Sequence, residues 1–103
     1  MHIYIKNKKL IIDKYRIKCA IGKRGIGNKK REGDKITPKG KFKIKCILYR
    51  KDRLSAFKSK ISKISIKKNM GWCDDPKSKK YNKLIKLPFD GTAEKLYRKD
   101  NTY

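Results

Sequence analysis

The stretch REGDKITPKGKFKIKC, residues 31–46, changes character halfway along. Its first half gathers Glu32, Gly33, Asp34, Pro38 and Gly40 in a chain otherwise crowded with lysine. Its second half alternates: Phe42, Ile44, Cys46 and Leu48 face one way, and Lys41, Lys43 and Lys45 the other. Period two is the signature of a half-buried strand. The turn residues before it each have a physical use. Gly33 permits a positive φ. Asp34 can accept hydrogen bonds from backbone N–H groups a residue or two further on, as in an Asx turn. Pro38 fixes its own φ and pushes Thr37 into an extended conformation. Gly40 lets the chain swing into a strand opening at Lys41. The expectation is one rigid lead-in to a central strand, with no catalytic group required.

Upstream the same alternation recurs. HIYIK puts Ile3 and Ile5 on one face, KKLIID follows a turn at Asn7 and Lys8, and YRIKCAI aligns Tyr15, Ile17, Cys19 and Ile21. The short spacing from Asp13 to Tyr15 suits a hairpin, so antiparallel sheet is expected. Residues 22–40 are too polar and too glycine-rich for a buried element, and loops of this length are often functional. Residues 51–68, rich in Ser and Lys, read as a surface excursion. LIKLPF reads as a short strand ended by Pro88. TAEKLYRK carries helix signals, with Thr92 as cap, Glu94 near the positive end of the dipole, and Arg98 and Lys99 near the negative end. One short C-terminal helix is therefore expected on a mainly β chain. Strands left without partners would make the protein poorly stable or self-associating.

A chain of 103 residues is expected to be a single domain with a thin core, since its apolar fraction is 37%. The net charge of +23 invites a nucleic-acid reading. The kind of basic residue weakens it: 26 Lys stand against 6 Arg, beside 14 Ile, whereas Arg is the better fork for phosphates and bases. Lysines spread over the whole chain describe a charged surface attracted to non-specific polyanions, an anionic wall included. No apolar run approaches a membrane span or an export signal.

Other clusters are incomplete as sites. GKRGIGN has glycines at 22, 25 and 27 in neither the dinucleotide nor the P-loop order, and Asn28 stands where a P-loop needs Lys. Cys19, Cys46 and Cys73 lie 27 residues apart each time, but their flanks differ and an odd count argues against a disulfide framework. His2, the single histidine, cannot complete a zinc site with such scattered partners. In GWCDDPKSKKYN, Asp74 and Asp75 could be paired carboxylates for acid–base work or ligands of a hard cation. The alternative is a turn initiated by Asp before Pro76, packed down by Trp72 and Tyr81. No cofactor or metal is expected from either cluster.

The order CAIGKRGIGNKKREGDKITPKGKFKI, then YRKDRL, GWCDDPKSKKYN and LPF, resembles the catalytic domain of L,D-transpeptidases, the YkuD-like family, from about Arg16 to the last residue. The resemblance implies a partial β-sandwich and an enzyme that remodels peptidoglycan in the periplasm or cell wall. It implies stem peptides as partners and acyl transfer through a cysteine thioester. Gly33, Asp34, Thr37, Pro38 and Gly40 match the family's loop signature, and Trp72, Cys73, Asp74, Asp75, Tyr81 and Asn82 match a second block of the structural family signature. The family's nucleophile lies in an S/T-x-G-C segment downstream of a histidine, and no such segment occurs in these 103 residues. None of the three cysteines and not His2 inherits those roles. The expectation is an incomplete transpeptidase domain, inactive alone, cut off before a missing C-terminal catalytic half by truncation, a frame interruption or a split gene. The other class left standing is a small basic nucleic-acid- or wall-binding protein without enzymatic activity.

Overall fold

A computed structural model describes residues 1–103, as strands and loops without a helix. It divides into two compact units, Met1–Lys41 and Phe42–Tyr103.

In the first unit, β1 (Ile3–Lys6), β2 (Lys9–Ile12) and β3 (Tyr15–Lys18) form an antiparallel sheet in chain order. The turns come from the sequence. Asn7 and Lys8 both take left-handed φ, 52° and 57°, the conformation that matches strand twist in a two-residue hairpin. Asp13 does the same at 48°. The register sets Ile3 against Ile12, Ile5 against Leu10 and Leu10 against Ile17, so these residues share one face. That face is little covered, with Ile3, Ile5, Tyr15 and Ile17 all exposed. The glycine-rich stretch is not structureless: β4 (Ile26–Gly27) pairs in parallel with β5 (Thr37–Pro38).

In the second unit, β6 (Cys46–Tyr49) pairs in parallel with β7 (Ser62–Ser65). A three-stranded antiparallel sheet places β8 (Met70–Cys73) between β9 (Leu84–Lys86) and β10 (Ala93–Lys95). Ile66, Cys73, Ile85 and Leu96 are the buried apolar side chains. Tyr49 and Phe57 meet edge to face at 5.1 Å.

Three expectations need correction. The strand expected from Lys41 begins at Cys46, and Phe42 and Ile44 are exposed. A strand persists where a partner satisfies its backbone groups, and β7 offers only Ser62–Ser65. That partner lies in the stretch expected to be a surface excursion, and the connection of residues 50–61 is long enough to let it run parallel to β6. The expected C-terminal helix is β10 instead. Ala93, Glu94 and Lys95 pair with Cys73, Trp72 and Gly71, and sheet pairing outweighs a weak helical propensity. The strand expected at LIKLPF is present as β9 and stops before Pro88.

Gly71 explains how β8 can be central. A Cβ there would lie 2.8 Å from Ile85 Cδ1 and 3.1 Å from Leu87 Cδ2. Those two are flexible side-chain tips, while the Glu94 carbonyl oxygen, 3.2 Å away, is backbone, so Gly71→Ala should fold with a loss of about 1–2 kcal/mol, overpacking exceeding the gain from a stiffer unfolded chain. Urea unfolding monitored by Trp72 fluorescence measures it.

Candidate functional site

Asp34 organises the first cluster. It is 6% exposed, and both carboxylate oxygens are occupied. Oδ1 accepts from Lys29 Nζ at 2.9 Å and from the Ile36 N–H at 3.0 Å; Oδ2 accepts from the Lys30 N–H at 2.8 Å and the Arg31 N–H at 3.3 Å. The bond to Ile36 is the Asx turn the sequence calls for. The bonds to Lys30 and Arg31 run backwards and close the loop. Together they hold the Asp34 carboxyl well below its usual range, the Lys29 ammonium contributing most.

The rest of the signature ties this loop to residues 22–27. Thr37 Oγ1 accepts from the Gly22 N–H at 2.7 Å. The Arg24 N–H donates to the Lys35 carbonyl at 2.9 Å, and the Thr37 N–H to the Gly25 carbonyl at 2.9 Å. The approach is close at Gly22, where a Cβ would stand 2.2 Å from the Lys35 carbonyl oxygen. Only glycine fits. Gly33 takes the positive φ expected of it, 76°. Pro38 lies opposite Gly27, and Gly40 has φ 146°. The loop is tied down by the β4–β5 pairing, and the central strand expected to follow it is not there: β6 begins at Cys46 and has β7 as its one sheet neighbour.

The second cluster is a strand and a turn. Trp72 and Cys73 end β8, and residues 74–83 connect it to β9. Cys73 is fully buried, its N–H donating to the Lys83 carbonyl at 3.0 Å and its carbonyl accepting from the Asn82 N–H at 2.8 Å. Trp72 Nε1 donates to Asn82 Oδ1 at 3.0 Å. Asn82 takes a left-handed φ of 57°. Asp75 Oδ1 accepts from the Lys77 N–H at 3.0 Å, an Asx turn, and Tyr81 donates its N–H to the Ser78 carbonyl at 3.0 Å. Asp74 is exposed, its N–H reaching the Thr92 carbonyl at 3.3 Å. The two carboxylates thus diverge, one capping a turn and one facing solvent. No group of three or more His, Cys, Asp or Glu gathers around them.

A third centre lies in the YRKDRL block, to which the sequence alone assigns no role. Arg50 is 5% exposed. Its guanidinium forks onto Asp52 at 2.8 and 2.7 Å, donates to the Arg98 carbonyl at 2.6 Å, and lies 3.7 Å from the Tyr97 ring centre. Arg53 donates to the carbonyls of Arg98, Lys99, Asp100 and Tyr103. The legible signal is scarcity: with 6 Arg among 32 basic residues, the pair Arg50 and Arg53 close together in sequence stands out as planar forks in a lysine-rich chain.

Taken together, these features define a basic, mainly β protein built around two ordered loops, with cysteines that form no disulfide. The profile of the YkuD family, the L,D-transpeptidase catalytic domain, matches residues 1–98. The chain belongs to that family. No curated protein and no solved structure matches it. No helix is long and apolar enough to cross a membrane.

Proposed function

We propose that residues 1–103 form one incomplete L,D-transpeptidase-like domain, which supplies scaffold to peptidoglycan cross-linking and lacks the reacting groups. The family match over residues 1–98 supports the transpeptidase part of this reading, and the lack of an S/T-x-G-C segment supports the scaffold part. In the reaction this family membership implies, a thiolate attacks the carbonyl before the terminal D-alanine of a tetrapeptide stem. D-alanine leaves with its amine protonated, and an acceptor amine displaces the thiol to form the cross-link. Such chemistry needs an accessible thiolate beside a base and donors for the oxyanion.

The local settings support a scaffold role. Cys73 is sealed from solvent, with the Asp75 carbonyl 4.0 Å from its Sγ. Cys46 is exposed at the start of β6. His2 stacks near Tyr4, their ring centres 6.0 Å apart. The thiol and imidazole of the reaction come from a segment carrying histidine and S/T-x-G-C, a motif these residues do not contain.

The test is incubation with a disaccharide tetrapeptide, with D-alanine release measured by mass spectrometry. The chain alone should release none. A polypeptide bearing the histidine and the S/T-x-G-C segment, added in trans, should bring release above that of either component. Turnover by the chain alone that disappears in Cys73→Ser would overturn the scaffold reading. Turnover surviving replacement of all three cysteines would overturn the thioester route.

A further inference from the structure

Beside Asp34 lies a cavity of about 270 Å³ lined by Arg24, Lys30, Arg31, Asp34 and Ile36. Three of its five lining residues are cationic, and they come from two separated stretches of the loop. The same network holds both stretches. The Arg24 N–H is bonded to the Lys35 carbonyl, and the N–H groups of Lys30 and Arg31 to Asp34 Oδ2. The backbone beneath each cation is therefore fixed, which lowers the ordering cost of binding.

The one acid in the lining does not cancel this field. Asp34 already accepts four hydrogen bonds, and Lys29, 2.9 Å away, matches its charge. With both oxygens engaged it offers little to a donor ligand. An acceptor-rich ligand meets two guanidinium forks and an ammonium. Each fork suits a pair of oxygens, so two forks call for more than the two oxygens of a carboxylate. Ile36 supplies an apolar wall, and the volume exceeds that of a bare oxyanion and approaches small-ligand size.

We propose that this cavity is a binding site for a phosphate ester, with Arg24 and Arg31 gripping the phosphate oxygens, Lys30 adding charge and Ile36 contacting the carbon skeleton. The site is independent of the acyl-transfer reading and stands or falls without it. The phosphate could come from a small phosphorylated metabolite or from a phosphodiester-linked polyol chain; the recognition chemistry is shared.

The experiment is an NMR titration of the full chain in 200 mM NaCl with inorganic phosphate, glycerol 1-phosphate, a glycerol phosphodiester and acetate. Saturable shifts confined to residues 24–36 are expected, with glycerol 1-phosphate binding more tightly than inorganic phosphate and both more tightly than acetate. Arg24→Gln together with Arg31→Gln should weaken binding about a hundredfold, since each removes a charged hydrogen-bonding partner. Arg24→Lys with Arg31→Lys should retain only part of the affinity, because charge remains and the fork is lost. Lys68→Gln with Lys79→Gln removes as much charge from exposed positions and should change nothing. The diester matching the monoester supports the site with a polymer as its source; its exclusion supports the site with a small phosphate. Shifts spread over lysines throughout the chain, equal affinity for acetate, or a double glutamine variant that binds as the parent does would each overturn the proposal.

Discussion

Replacing Asp34 by alanine should free the Lys30, Arg31 and Ile36 amide protons to exchange at least about a hundredfold faster, while exchange in β1–β3 stays nearly unchanged. The carboxylate is the common acceptor for all three N–H groups and for Lys29. Removing it leaves backbone donors without a partner inside a closed loop, the costly half of hydrogen-bond exchange with water. Asn is no remedy. Its single oxygen can serve Ile36 or the Lys30–Arg31 pair, and its amide nitrogen then faces donors with another donor. Asp34→Asn should therefore lose nearly as much protection as Asp34→Ala. The pH dependence follows the same contacts. The folded carboxyl sits below its ordinary value of 3.8, so its contribution is complete above that value. It survives mild acid and is lost only as pH falls through the depressed folded value. Amide protection at Ile36 should hold at pH 4, and two-dimensional NMR exchange series at pH 4 and 7 read it directly.

The sequence revealed those elements whose cause is local. The β1–β3 hairpins are legible because Asn7 and Asp13 tolerate left-handed φ between alternating apolar runs. The Asx turn at Asp34 is legible for the same reason. What stayed hidden depends on distant partners. SKIS at 62–65 has no apolar alternation; it is a strand because β6 runs beside it in parallel. MGWC at 70–73 contains a glycine and shows no apolar–polar alternation, yet its burial alternates, with Gly71 and Cys73 on the buried face and β9 and β10 pairing both edges. AEK at 93–95 favours a helix in isolation and becomes a strand only on the edge of β8. The signature residues of the candidate site were found, but Arg24 and Arg31, which give the Asp34 loop its cavity, were not. They line it from two stretches joined by a backbone bond between residues 24 and 35, and no spacing rule announces that.

Arg50→Ala should lower the melting temperature of the Phe42–Tyr103 unit on the order of 10 °C. Four interactions end with that guanidinium: two to Asp52, one to the Arg98 carbonyl, and the stack on Tyr97. Arg98 follows the Tyr97 ring in sequence, so one side chain pins the backbone and the ring of the same segment. Arg50→Lys keeps the charge but has neither fork nor planar face, and should recover less than half of the loss. Tyr97→Phe removes only the hydroxyl, 3.3 Å from Asp52 Oδ2, and leaves the stack; its effect should be small. Acid supplies an orthogonal check. Asp52 is shifted from its ordinary 3.8 to about 2, chiefly by its hydrogen bonds from Arg50. A depressed folded value means the stabilisation is complete above about pH 4 and disappears as pH falls through about 2. Asp52→Asn should lower stability by a constant amount from neutral pH down to about pH 4 and flatten the fall below it. Circular dichroism melts from pH 7 to pH 2 distinguish these outcomes, and equal acid sensitivity in the parent and in Asp52→Asn would remove the Arg50–Asp52 pair as the cause.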